Sequence, residues 1–156
     1  MILACWDEYA ATRRSGTLGH DPTEWYEETL LKQMELARNE VKASIGAFKE
    51  HGRVDQVYSE AFKAYGTLLK LAAYLQGTLD GRGHSISERT DFLRALSGHW
   101  FEPYFHQLHD ACRDIAEHYG KWTNQMAFEV IGDIAESALA SGGIICDNGR
   151  LYFDVS

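Results

Sequence analysis

Two histidines, two acids and an arginine fall on one side of a helix that opens at Pro103. At about 100° per residue, His106, His109, Asp110, Arg113 and Glu117 share the face opposite Tyr104, Leu108, Cys112 and Ile115. His106 and Asp110 are four apart, a separation at which two side chains of one helix can share a metal ion, and His109 stands beside them. A single exposed helix face has no surrounding shell to hold ligands in fixed geometry. The pattern therefore reads as a solvated or partner-facing surface, with no metal and no cofactor. Dinuclear carboxylate sites in bundles need Glu-x-x-His, and no glutamate stands three residues before a histidine in this chain. Gly81 and Gly83 lack the Lys-Ser/Thr of a phosphate loop, and no GxSxG occurs. Cys112 lies on an apolar stripe and reads as a packed core residue rather than a nucleophile.

The charge is uneven. The chain carries 15 basic and 23 acidic residues, a formal net charge of −8. Residues 102–154 hold nine acids against three bases. Such a surface repels phosphate backbones and attracts basic partners. Asp110, Asp114, Glu117, Glu129, Asp133 and Glu136 fall on two consecutive helices and can form one patch. With His106 and His109 they are the expected contacts for a protein partner with a basic surface. That pattern predicts a small acidic protein acting by binding a macromolecule, of the immunity, antitoxin, inhibitor or accessory-subunit type. Whether it is also an enzyme stays open.

A second reading starts from Arg113-Asp114-Ile115-Ala116-Glu117-His118-Tyr119. This run resembles the R-x4-6-H motif of HEPN domains, in which a polar residue often follows the arginine, as Asp114 does here. The resemblance covers the motif and the general architecture. It implies a bundle of four to five helices and a metal-independent ribonuclease or toxin component, commonly with its site assembled across a homodimer. Arg113 would then stabilise phosphoryl charge, and His118 would act as general acid or base on an RNA 2′-hydroxyl. In a straight helix the two would sit about 140° apart, so a shared site needs a helix break or a second subunit. The chain holds another R-x4-H, from Arg94 to His99.

These residues must be positioned by helices. Val54, Tyr58, Ala61, Tyr65, Leu68, Ala72, Leu75 and Leu79 recur every three or four residues, and Val57, Phe62, Leu69 and Leu71 widen the stripe. That predicts a long internal helix with several neighbours. Before it, Asp21-Pro22-x-Glu24 reads as a capping box opening a helix with a Leu30, Met34, Ala37, Val41, Ile45, Phe48 stripe, stopped by Gly52. The short link predicts an antiparallel hairpin of the two longest helices. Residues 2–14 read as a short helix burying Leu3, Trp6, Tyr9 and Ala10, with a strand through 2–6 as the alternative. Ser85 or Ser87 caps a helix running to about Ser97. Trp100 and Phe101 fold back onto the core in a break before Pro103. The helix opened there runs to about Gly120, with Tyr119 on its core side. Thr123 or Asn124 caps a last helix burying Ala127, Val130, Ile131, Ile134 and Ala138. Asn148-Gly149 between 143–147 and 150–155 predicts a β-hairpin over 143–155. Such a hairpin must pack on the helices, recruit a strand or pair with another chain.

The expected fold is all-α: one domain over 1–156, a bundle of four to five main helices with a short C-terminal hairpin. Three widely spaced cysteines, Cys5, Cys112 and Cys146, point to a reducing compartment. The first residues lack a basic start and a long apolar run, and no stretch approaches a membrane span. A cytoplasmic protein is expected, with no membrane partner. RNA is a partner only in the ribonuclease reading. A homodimer through the hairpin or the His106–Glu117 face is one arrangement the pattern allows.

Overall fold

The computed structural model describes residues 2–147 and 150–154. Six α-helices are followed by a two-stranded antiparallel hairpin: α1 (Ile2–Ser15), α2 (Thr23–His51), α3 (Val54–Arg82), α4 (Thr90–Leu96), α5 (Glu102–Glu117), α6 (Glu129–Ser141), β1 (Ile144–Asp147) and β2 (Arg150–Phe153). The expected all-α bundle with a short hairpin is what the chain forms, and α2 and α3 are its longest helices. None of the helices among the described residues is long and apolar enough to cross a membrane.

α3 is the centre. Ala61, Tyr65, Leu68, Ala72, Leu75 and Leu79 are buried along the expected seam, and Leu69, Ala73, Gln76, Gly77 and Thr78 are buried as well. Its second half is thus enclosed on nearly all sides, with α1 and α2 as its main neighbours. The seam loosens at its start, where Val54 is exposed. α1 comes unusually close to α3 because Gly77 and Gly81 stand one turn apart on the contact. A Cβ on Gly77 would overlap Thr12 Oγ1 and the Tyr9 carbonyl, and one on Gly81 would overlap the Arg13 carbonyl. Only glycine permits that approach. α1 buries Cys5, Trp6 and Tyr9, whereas Leu3, expected on the same stripe, is 48% exposed.

α2 buries Leu30, Met34, Ala37, Val41 and Ile45 as its spacing predicted. Its start differs from the capping-box reading. Asp21 Oδ1 accepts from the Thr23 amide at 3.0 Å and the Thr23 hydroxyl at 2.6 Å, so Pro22 becomes the cap and Thr23 the first helical residue. Asp21 makes a local two-residue turn instead of reaching further into the helix. The helix ends at Gly52, in the left-handed region at φ 64°, with its N–H bonded to the Phe48 carbonyl.

The segment after α3 is broken rather than continuous. Ser85 caps a single 3-10 turn at Ile86–Glu88, and α4 starts only after Arg89. The Arg89 guanidinium forks onto Glu27 of α2, Nε to Oε1 at 2.6 Å and an Nη to Oε2 at 2.8 Å, which fixes this break in place. Trp100 and Phe101 fold back as expected: Phe101 is fully buried, and Trp100 stacks on Tyr65 with ring centres 4.9 Å apart. Asn124 caps a 3-10 turn at Gln125–Phe128 that leads into α6. Trp122 donates to the Ile115 carbonyl and packs edge-on against Trp6 and Phe128.

β1 and β2 pair in the register Ile144↔Phe153 to Asp147↔Arg150. The hairpin packs on the bundle through buried Ile144 and through Phe153, whose ring meets Phe48 edge-on at 4.9 Å. The Asn148-Gly149 turn and Val155 lie outside the described residues.

Candidate functional site

Three helices converge on one carboxylate. Asp80 stands in the last turn of α3, and its Oδ2 accepts from the Tyr9 hydroxyl of α1 at 2.6 Å and from His109 Nε2–H of α5 at 3.1 Å. An Arg13 guanidinium nitrogen donates to the Tyr9 hydroxyl at 3.3 Å. Burial pushes the Asp80 carboxyl up, but the hydrogen bonds from His109 and Tyr9, with the nearby His109 and Arg113 charges, outweigh it and hold Asp80 below its ordinary value. Burial and the bond to Asp80 raise the Tyr9 phenol.

This network forms the wall of a cleft of about 690 Å³ between α1, the end of α3 and α5, lined by Arg13, His84, His106, Asp110 and Arg113 among others. The structure thus brings together four residues of the expected α5 face, but not all on the surface. His109, read as solvent-facing and available to a partner, is 7% exposed and committed to Asp80. The reason is Asp80 on the central helix, whose carboxylate lies within reach of the imidazole and draws it inward. The sequence marks Tyr9 only as a core residue of the first helix and does not single out Arg13, Asp80 or His84 as site residues. The signal that marks Asp80 is a carboxylate set between Gly77 and Gly81 on a helix otherwise apolar at that depth.

On the other side of α5, Asp110, Asp114 and Asp133 frame a groove of about 670 Å³ against α6, whose floor includes Ala111, Ala127, Val130 and Ile134. Val130, expected in the core, is 43% exposed, because α6 turns Ile131, Ile134, Ala135, Ala138 and Leu139 inward instead. Asp110 borders both cleft and groove. Among the described residues, neither Asp110 nor Asp133 has a basic side chain within ion-pair distance. Glu129 and Glu136 lie apart from these three. They border a separate groove with Leu3, Tyr58, Phe62 and Leu139, on the far edge of α6. Glu117 is exposed in the last turn of α5. The expected single acidic patch is therefore two faces of α6 with α5 beside one of them.

α5 stops at Glu117, and His118 is its C-cap at φ −96° and ψ 16°. His118 Nδ1–H donates to the Asp114 carbonyl at 2.8 Å, and the ring also lies 3.6 Å from an Asp114 carboxylate oxygen. That bond places the proton on Nδ1 and leaves Nε2 as the acceptor. Arg113 borders the cleft toward α1, whereas Asp114, to which His118 is tied, borders the groove toward α6. Tyr119, expected on the core side, is 59% exposed and carries the Arg14 guanidinium over its ring. The end of the helix after Glu117 is what turns it outward. Among the described residues no three His, Cys, Asp or Glu side chains converge as a metal site.

The chain matches no protein-family model, no curated protein and no solved structure in the comparisons made with each.

Proposed function

We propose that this protein acts by binding a protein partner in the α5–α6 groove, through a segment that offers an apolar side chain flanked by lysine or arginine. One observation carries the reading: an apolar floor around exposed Val130 is framed by Asp110, Asp114 and Asp133, two of which have no cation of their own. An apolar centre with charged borders is the pattern of a docking surface, in which the centre supplies affinity and the charges supply register and on-rate. The partner type that fits is a basic protein held by an acidic one, as for an inhibitor, immunity protein, antitoxin or accessory subunit. A photo-crosslinking residue at position 130, introduced in the native host, tests this. A specific covalent adduct with a protein whose contact surface is basic is expected, and it should disappear when Asp110 and Asp133 are changed to lysine. An adduct indifferent to those changes contradicts the reading.

The ring of His118 favours a second reading, a HEPN-like ribonuclease. His118 caps α5 with its backbone N–H still bonded to the Asp114 carbonyl, so it keeps a helical position about 140° from Arg113, and in the neutral ring Nε2 is the nitrogen left to take a proton. The two residues border different grooves of one chain, so this reading rests on a homodimer that supplies Arg113 and His118 from opposite subunits. Cleavage of single-stranded RNA in the presence of chelator, lost in an Arg113→Ala/His118→Ala variant, is its expected result. Intact RNA at high protein concentration contradicts it.

A further inference from the structure

α2 turns Arg38, Lys42 and Lys49 into one recess, closed on its far side by Ser141, Gly142, Gly143 and Asp154. Its volume is about 370 Å³. Among the described residues the recess sets Arg38, Lys42 and Lys49 against Asp154, the reverse of the charge balance of the chain as a whole, and Lys49 and Asp154 each have an interaction of their own. Neither Arg38 nor Lys42 has a carboxylate within ion-pair distance among the described residues. Arg38 instead lies over the Trp100 ring, 5.4 Å from its centre.

A further feature belongs to the same place. Gly46 sits in the middle of α2 on the recess, where an added Cβ would meet nothing within 4 Å. A mid-helix glycine costs about 1 kcal/mol relative to alanine, and here it leaves the recess open.

We propose that this recess binds the phosphate group of a small phosphate ester, with Arg38 and Lys42 supplying charge and Gly46 supplying room. Two cations balance a phosphate dianion, and the volume is at the small end of ligand sites. The recess lies on α2 and the turn after α6, away from the α5–α6 groove, so the proposal stands apart from partner binding.

Calorimetric titration of the full chain with glycerol phosphate, and separately with inorganic phosphate, tests it. One saturable site is expected for the ester; binding of inorganic phosphate with equal strength would show that only the anion is read, and would contradict an ester ligand. Arg38→Gln/Lys42→Gln should weaken binding at least about tenfold, as expected for loss of charged hydrogen bonds. Gly46→Leu should do the same by filling the recess with the charges intact. Lys63→Gln, in a separate groove between α2 and α3, should leave binding unchanged. Circular dichroism confirms that each variant is folded. No saturable binding at about 10 mM ester, far weaker than the affinities of built sites, overturns the proposal. So does wild-type affinity in the Arg38/Lys42 variant or in Gly46→Leu.

Discussion

His109 Nε2 lies 3.1 Å from Asp80 Oδ2, joining the middle of α5 to the last turn of α3. Because Tyr9 bonds the same oxygen from α1, one carboxylate ties three helices together. The Asp80 pKa is lowered in the folded state, so its contribution to stability is complete above the unfolded value of about 4 and is lost as pH falls through the folded value. Asp80→Asn should therefore be less stable than wild type at pH 7, and the gap should narrow in acid. Tyr9→Phe should cost about 1–3 kcal/mol, as for removal of one partner from a buried polar pair. Urea midpoints at pH 7 and pH 3 read both effects. A gap that does not change with pH would contradict the role assigned to Asp80.

Two glycines in long helices should respond in opposite directions. Gly77→Ala forces a methyl group into the Tyr9 carbonyl and should destabilise by about 1–3 kcal/mol, the range for overpacking. Gly46→Ala adds a methyl group in open space on α2 and should stabilise by about 0.5–1 kcal/mol. Equal effects from the two, measured as shifts in urea midpoint, would contradict the close approach of α1 to α3.

The cysteines should differ in reactivity. Burial pushes the Cys5 thiol up to about 11 and the Cys112 thiol up to about 12, while Cys146 is exposed on β1. Reactivity needs both access and thiolate. Ellman's reagent at pH 8 should titrate one thiol rapidly in the native protein and the other two only after denaturation. Three fast thiols would contradict the packing of α1 on α5.

The two bulky apolar residues in the break before Pro103 folded back as expected, and the helical spacings placed α2 and α3 correctly, because apolar periodicity reports burial directly. It failed where a helix ends or a polar group is drawn inward. Tyr119 and His118 follow the periodicity of α5 on paper, yet the helix has already stopped at Glu117. His109 has a polar face's position and a core residue's burial, because its partner Asp80 lies 29 residues away in sequence. Arg89 and Glu27 are 62 residues apart, and no local pattern announces their pairing. The eight expected partner contacts were scattered for the same reason. Helix faces could be read from spacing, but the packing of α6 that sends Asp133 to one groove and Glu129 and Glu136 to another could not.

The α5–α6 groove is most directly tested by charge reversal. With the partner captured at position 130 in hand, its affinity for wild type and for Asp110→Lys/Asp133→Lys should be measured at low and high salt. Binding should weaken at least about tenfold in the variant, and the wild-type affinity should fall as salt rises while the variant's does not. Equal affinity for the two proteins, with no dependence on salt, would contradict the acidic groove as the binding surface.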